Sequence, residues 1–383
     1  MIRLLGGLVL LTLLAPAQAA PSPTLAVQPV PAAPALAARA YVLMDFSSMR
    51  VLAENRADER MEPASLTKLM TAYAVFKELA AGKLKLTDPV TISDQAWRSE
   101  GSRMFVKVGT KVTLEDLLKG MIVQSGNDAS VALAEHVGGS EKGFVTLMNQ
   151  YAQALGMSRS HFTNSTGLPD PELYITARDI ALLARALISE FPEHYKYYSI
   201  KEFTYNSITQ YNRNLLLWRD QGVDGLKTGH TESAGFCLVT SALRDDMRLI
   251  AVVLGTKDEK SRAQESLELL NYGYRFYETH RLYAAGQPLY TLPIWKGAEK
   301  SLRLGLRNDL YVTVPRGQYK NLTAAMEVDA RIMAPAAKGQ AFGAVKITLG
   351  GDVIAKPALV ALHDVAKGGV WRRMIDSIRL WWH

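Results

Sequence analysis

Apolar and polar residues alternate in two short runs near the start of the chain, 41–46 and 50–54, with Ser47-Ser48 between them. That pattern predicts a pair of strands joined by a turn. From Pro63 onward the period changes. Leu66, Leu69, Met70, Tyr73 and Phe76 recur at three- and four-residue spacing, which predicts a helix with one buried face. Between Thr113 and about Leu187 the texture stays mainly helical. Thr113-Leu114-Glu115-Asp116 opens one helix with a capping pattern, and residues 177–188 form another. After Lys227 apolar and β-branched runs return at 235–243 and 248–254, joined as a hairpin through Arg244-Asp245-Asp246. Residues 261–279 read as helix again. The expected architecture is one α+β domain over 37–285. Its early and late strands share a sheet, and the middle of the chain is a helical cluster.

The pattern shifts once more near Gly286. Short alternating runs at 302–306, 310–314, 322–328 and 345–349, punctuated by Gly and Pro, predict a small all-β domain over 286–363. The last segment, 364–383, is different. On a helical wheel Val370, Trp371, Met374, Ile375, Ile378, Trp381 and Trp382 fall within an arc of about 140°, with Arg372, Arg373, Asp376, Arg379 and His383 opposite. Such a helix is too short to span a bilayer and is expected to lie in the membrane interface as an anchor. At the other end Met1-Ile2-Arg3, an apolar run from Leu4 to Leu14, Pro16 and Ala17-Gln18-Ala19 form the layout of a signal peptide over 1–19. Residues 20–36, rich in Ala and Pro and free of charge, read as an extended linker.

Composition narrows the class. The chain has 383 residues, 48% apolar and 21% charged, enough to bury a sizeable core. Disorder, collagen and coiled coil are excluded by this mixture. A single cysteine, Cys237, rules out an intramolecular disulfide framework and a cysteine-rich zinc site. It sits in Gly235-Phe236-Cys237-Leu238-Val239, a core strand by pattern. The formal net charge of +7 belongs to the mature chain, because the signal segment carries only Arg3. Export to the periplasm turns that charge away from nucleic acid and toward an anionic membrane surface and acidic ligands.

Three short elements carry the candidate chemistry. In Ser65-Leu66-Thr67-Lys68, positions i and i+3 share a helix face, so the Ser65 hydroxyl and the Lys68 amine can meet. Pro63 is placed to start that helix, which sets Ser65 near the positive end of the macrodipole. Ser125-Gly126-Asn127 lies between an apolar run and a helix, and Lys227-Thr228-Gly229 opens a strand. A serine hydroxyl needs a base at neutral pH. Lysine serves only if its pKa falls from about 10.4 toward 7, a drop worth roughly 4 kcal/mol. Desolvation and a nearby like charge can supply it, and Lys227 is the candidate for that charge. Ser125 can pass a proton to the leaving group. Asn127 can hold either Lys68 or a substrate amide. Lys227 and Thr228 offer donors to a carboxylate. The backbone N–H of Ser65 and one from the strand after Gly229 can form an oxyanion hole. His230 follows Gly229 directly and is expected to line the cleft. None of the seven histidines forms a helical metal-ligand pair, and the chemistry calls for no metal or other cofactor.

In this order the three elements resemble the signature shared by class A β-lactamases and penicillin-binding proteins. The longer matches are Pro63-Ala64-Ser65-Leu66-Thr67-Lys68-Leu69-Met70-Thr71, Gln124-Ser125-Gly126-Asn127-Asp128-Ala129 and Asp224-Gly225-Leu226-Lys227-Thr228-Gly229-His230-Thr231. With His161-Phe162-Thr163-Asn164, Ala177-Arg178-Asp179 and Asn271-Tyr272-Gly273-Tyr274-Arg275-Phe276, they resemble the low-molecular-mass penicillin-binding proteins. More narrowly, the resemblance is to the serine-type D-alanyl-D-alanine carboxypeptidases. It implies a transpeptidase domain of the penicillin-binding/β-lactamase-like kind, with Ser65 as acyl-enzyme nucleophile, Lys68 as base and Ser125 as proton relay. Lys227 and Thr228 would then bind the terminal carboxylate, with Arg262 assisting. The implied substrate is the peptidoglycan pentapeptide, which loses its terminal D-alanine, and β-lactams would acylate Ser65 as slow pseudo-substrates. The same motifs also serve a β-lactamase or a D,D-endopeptidase, and a low-turnover peptidoglycan-binding scaffold is the non-enzymatic alternative. Pro171-Glu172-Leu173 resembles the loop that carries the deacylating glutamate of class A β-lactamases. Ser-Gly-Asn stands where those enzymes typically have Ser-Asp-Asn.

Overall fold

The computed structural model describes residues 30–329 and 331–381. The expected signal peptide and the linker up to residue 29 lie outside the described residues. A five-stranded antiparallel sheet organises the first domain. Its strands are β1 (Ala40–Asp45), β2 (Val51–Asn55), β3 (Val223–Thr231), β4 (Gly235–Arg244) and β5 (Met247–Thr256), in the spatial order β2-β1-β5-β4-β3. The first and last strands of the domain pair directly, Ala40 opposite Leu254 and Met44 opposite Ile250.

Both faces of the sheet are buried, so its strands are apolar at consecutive positions rather than alternately. Ala40, Val42 and Met44 face one core together with Cys237, Val239, Ile250, Val252 and Leu254. Tyr41 and Leu43 face a second with Leu238, Leu249, Ala251 and Val253. The first core is filled by helices α1 (Thr67–Ala80), α2 (Leu114–Val123), α3 (Asn127–Gly138), α4 (Glu141–Ala154) and α5 (Ala177–Glu190). The second is capped by α6 (Glu259–Phe276). Thr113 caps α2 as expected, its Oγ1 accepting from the N–H of Asp116.

Three segments differ from the sequence expectation. Residues 30–36, read as linker, pack on the domain. Val30, Ala33 and Leu36 cover the second core, and the Tyr272 hydroxyl donates to the carbonyl of Pro31. The stretch 155–176 contains no helix, and its irregular backbone contributes to the site described below. Finally, the helix expected over 261–279 stops at Phe276. Residues Tyr277–Tyr283 run as a strand paired antiparallel with Leu310–Pro315. Its aromatic and β-branched residues at alternate positions suit that pairing. Thr279 donates to Asp45, and the Arg50 guanidinium donates to the carbonyl of Thr313, so this ribbon fastens the two domains.

The second domain is β-rich, with a seven-stranded sheet built from strands between Tyr290 and Ala361 around its own core. The last described element is helix α7 (Val370–Trp381), and Trp382 and His383 of the expected anchor lie outside the described residues.

Candidate active site

Ser65 lies in a single 3-10 turn, Ala64–Leu66, that leads into α1. The sequence predicted an α-helix from Pro63. A tighter first turn forms because two backbones press on it. Gly167 has φ +83°, and a Cβ placed there would stand 1.7 Å from the carbonyl oxygen of Ala64. At Gly229 a Cβ would meet Pro63 O at 3.0 Å and Ala64 Cβ at 3.3 Å. Ala64 itself takes a φ of +47°, unusual for a residue with a side chain. Gly167→Ala is therefore expected to displace the nucleophile turn, because neither the carbonyl nor Gly167 can yield. A misplacement of about 1 Å costs on the order of 100-fold in rate. The check is the acylation rate by a fluorescent penicillin. A variant acylated at the wild-type rate would show that the turn tolerates the change.

Lys68, on the first turn of α1, is 1% exposed. Its Nζ makes three contacts: Ser65 Oγ at 3.0 Å, Asn127 Oδ1 at 2.7 Å and the carbonyl oxygen of Thr166 at 2.7 Å. Burial brings its pKa down from 10.5 to about 7, with the positive charge of Arg213 adding to the effect and the carboxylate of Asp128 opposing it. Two of the partners are carbonyl oxygens, which only accept. A neutral amine has two hydrogens to give them, which leaves its lone pair for the Ser65 hydroxyl. Burial favours the basic form of the amine, and the two carbonyl contacts aim it at Ser65.

Ser125 and Asn127 come from the α2–α3 corner, and Asn127 reaches Lys68. Ser125 adopts φ +68°, and its buried Oγ has no hydrogen-bond partner among the described residues. Asn127 is the first residue of α3. Its Oδ1 accepts from Lys68, and Asn127 also lines the cavity described below. Its Nδ2 is used by the carbonyl of Glu100 and its backbone N–H by that of Ser102. Asp128 beside it is fully buried and accepts from the backbone N–H groups of Met104, Phe105 and Val106, which fixes that loop.

Lys227-Thr228-Gly229 lies inside β3 rather than opening it. Lys227 is buried, and burial together with the charges of Lys68, Arg213 and Arg262 pushes its pKa well below the usual lysine value. The like charge that lowers Lys68 thus comes from Arg213 in place of the expected Lys227, which is instead itself lowered by the charge of Lys68. A cavity of about 380 Å³ opens over these groups, lined by Ser65, Ser125, Asn127, Arg213, Thr228, Gly229, His230 and Arg262 among others. Lys227 does not line it and acts from behind Thr228, its Nζ donating to the Thr228 carbonyl at 3.2 Å. Arg262 is buried at the cavity wall, donating to the carbonyl of Gly229 and paired with Glu259. His230 is exposed and lines the cavity as expected, its ring stacked on Phe236 with centroids 3.9 Å apart.

Two residues alter the sequence picture. Arg213 was not singled out, because one arginine in a polar loop has no spacing signal. It is exposed between buried Asn212 and Asn214, whose side chains donate to the carbonyls of Ile200 and Gly225 and so hold the loop at the cavity. Glu172 is exposed in a separate depression with Arg60, His161 and Tyr174, and it does not reach the Ser65 cavity. Among the described residues no group of three or more His, Cys, Asp or Glu side chains could hold a metal ion.

A family model described as D-alanyl-D-alanine carboxypeptidase matches residues 27–258. A second, described as the C-terminal domain of penicillin-binding protein 5, matches 277–367. The D-alanyl-D-alanine carboxypeptidase DacC of Escherichia coli (strain K12) is 45% identical over 359 residues, spanning 92% of this chain and 90% of that protein. DacA of the same organism is 42% identical over 362 residues, again 92% of this chain and 90% of the relative. Among solved structures, penicillin binding protein 5 from Haemophilus influenzae superposes with a TM-score of 0.84 at 44% identity, covering 87% of this chain and 99% of that one.

Proposed function

Because the chain belongs to the D-alanyl-D-alanine carboxypeptidase family, as a serine-type enzyme of the penicillin-binding protein 5-like kind, we propose that Ser65, Lys68 and Ser125 carry its reaction. The observation that carries this reading is the three-contact environment of Lys68 Nζ. Ser65 Oγ attacks the carbonyl carbon of the penultimate D-alanine, and its proton passes to the lone pair of Lys68. The oxyanion that forms is held by backbone N–H groups of the Ser65 turn and of β3. Collapse breaks the C–N bond. The departing D-alanine amine takes its proton from Lys68 by way of the Ser125 hydroxyl, which has no competing partner among the described residues. Water then attacks the acyl-enzyme, gives its proton to Lys68, and Ser65 leaves with the proton restored.

The leaving residue carries a carboxylate. Thr228, Arg213 and Arg262 line the cavity where it would sit, and Lys227 adds positive field from behind. A β-lactam presents a carboxylate and a strained amide to the same groups and would acylate Ser65 likewise. The position of Glu172 outside the cavity favours slow deacylation over β-lactamase turnover.

Location rests on the ends of the chain. No helix among the described residues is long and apolar enough to cross a membrane. In α7, Trp371 is 76% and Trp381 91% exposed, whereas Asp376 is buried, its carboxylate accepting from the backbone N–H of Lys296 at 2.7 Å. The helix thus docks on the β-rich domain by its polar side and leaves its apolar side uncovered. An anionic membrane surface fits that face and the arginines flanking it. With the expected signal peptide, this supports a periplasmic enzyme, peripheral on the inner membrane, with the β-rich domain as spacer.

Mass spectrometry of the purified protein with a pentapeptide and with penicillin tests the reading. The expected result is loss of one D-alanine from the peptide and a long-lived penicilloyl adduct on Ser65. Rapid penicillin hydrolysis with no D-alanine release would overturn it.

A further inference from the structure

The carbonyl of Thr166 that takes one Lys68 hydrogen belongs to an irregular segment, and that segment is braced from outside the catalytic set. Ser165 is fully buried. One oxygen of the Glu141 carboxylate accepts both its backbone N–H, at 3.0 Å, and its hydroxyl, at 2.7 Å. The Ser165 carbonyl is held from the other side by the hydroxyls of Thr71 and Ser130, each at 2.7 Å. Asn164 Oδ1 accepts the backbone N–H groups of Thr166 and Gly167. The peptide planes between 164 and 167 are therefore tied, with the Thr166 carbonyl accepting from Lys68.

We infer that Glu141 is a positioning residue for the reaction: through Ser165 it fixes the Thr166 carbonyl against the Lys68 amine. The inference rests on Lys68 being the base. Glu141 is well placed for this. It is the first residue of α4, after the Ser140 cap, where the helix dipole favours a carboxylate. Its second oxygen is engaged by Gln95, so the side chain is held at both ends. It does not line the substrate cavity and so acts only through the segment it braces. If the brace is lost, the Thr166 carbonyl can turn away, and the free hydrogen of the amine competes with the lone pair for Ser65.

The test is stopped-flow acylation by a fluorescent penicillin, which separates initial binding from the covalent step. In E141A the covalent rate constant is expected to fall by about tenfold to 100-fold, the size expected of a small misplacement. Initial binding should stay within about twofold. E141Q keeps an acceptor oxygen for Ser165 and is expected to recover to within about threefold of wild type. T71V, which preserves side-chain shape and removes one hold on the Ser165 carbonyl, is expected to slow the same step and carries the test if E141A does not fold. Wild-type acylation in a folded E141A, or in T71V where E141A is unfolded, overturns the inference. Equal damage in E141Q and E141A also overturns it. Failure of the underlying reading is distinguishable: it would appear as undiminished acylation in Lys68→Ala.

Discussion

Lys68→Ala is expected to slow acylation of Ser65 by on the order of 10²–10⁴, the span associated with loss of a positioned general base. Ser65→Ala is expected to abolish covalent labelling altogether. Lys68→Arg should be as damaging as alanine, since a guanidinium keeps its proton at any working pH and has no lone pair to offer. Two further measurements make the assignment specific to this geometry. The acylation rate should rise with pH through about 7, where the buried amine loses its proton. In the opposite sense, Lys68→Met should raise the thermal midpoint. The unfolded chain holds the Lys68 proton up to about pH 10.5 and the folded chain only to about 7, a gap worth on the order of 5 kcal/mol. The sign follows from the lowered pKa. Between pH 7 and 10.5 the unfolded state binds more protons, so wild-type stability rises with pH across that window. Below 7 the full cost of burying the charge is present. The advantage of methionine should therefore be largest near pH 6 and shrink toward pH 10. Labelling that persists in Ser65→Ala, or acylation in Lys68→Ala at the wild-type rate, would remove these residues from the reaction.

Side chains of the site were legible in the sequence because their chemistry needs fixed spacings. Ser65 and Lys68 lie three apart on one helical stretch. Ser125 and Asn127 flank one corner, and Lys227 and Thr228 share one strand. Parts of the site supplied by backbone left no such trace. The Thr166 carbonyl could belong to any residue type, so nothing in the sequence marks it as a partner of Lys68. Gly167 is better marked, yet the reason only glycine fits is the Ala64 carbonyl, 103 residues away in sequence. Arg213 reaches the cavity through its placement by Asn212 and Asn214, a local fold that composition does not encode. The same distinction explains the errors of element. Residues 277–279 continue a helical pattern, and their strand exists because Leu310–Pro315 offers an edge that pairs with them. Residues 30–36 lack charge and periodicity, and only the exposed flank of the second core turns them into packed structure.

Removal of the chain after Gly369 is expected to release the protein from anionic lipid vesicles, lowering its partition by at least about 100-fold. Six apolar side chains on α7 stand in solvent, Val370, Trp371, Met374, Ile375, Ile378 and Trp381. Fully burying one large apolar side chain is worth roughly 1.5–3 kcal/mol, so even partial insertion of the two tryptophans and two isoleucines exceeds the 2.7 kcal/mol or so that a 100-fold change requires. Arg372 is paired with Asp376, whereas exposed Arg373 and Arg379 add about 1 kcal/mol each next to an anionic surface, a contribution that salt should weaken. Their replacement by glutamine should therefore reduce binding at low salt and matter little at high salt, whereas the truncation acts at both. Asp376 makes the orientation specific. Its clasp on the Lys296 N–H holds the polar side of α7 against the β-rich domain, so the apolar side has nowhere to fold back. The truncated enzyme should keep its turnover of soluble peptide, because α7 contributes no residue to the cavity over Ser65. Cosedimentation of full-length and truncated protein with vesicles of anionic and of neutral lipid reads the result. A truncated protein that still sediments with anionic vesicles would assign the membrane contact to another surface and leave the exposed face of α7 without its proposed partner.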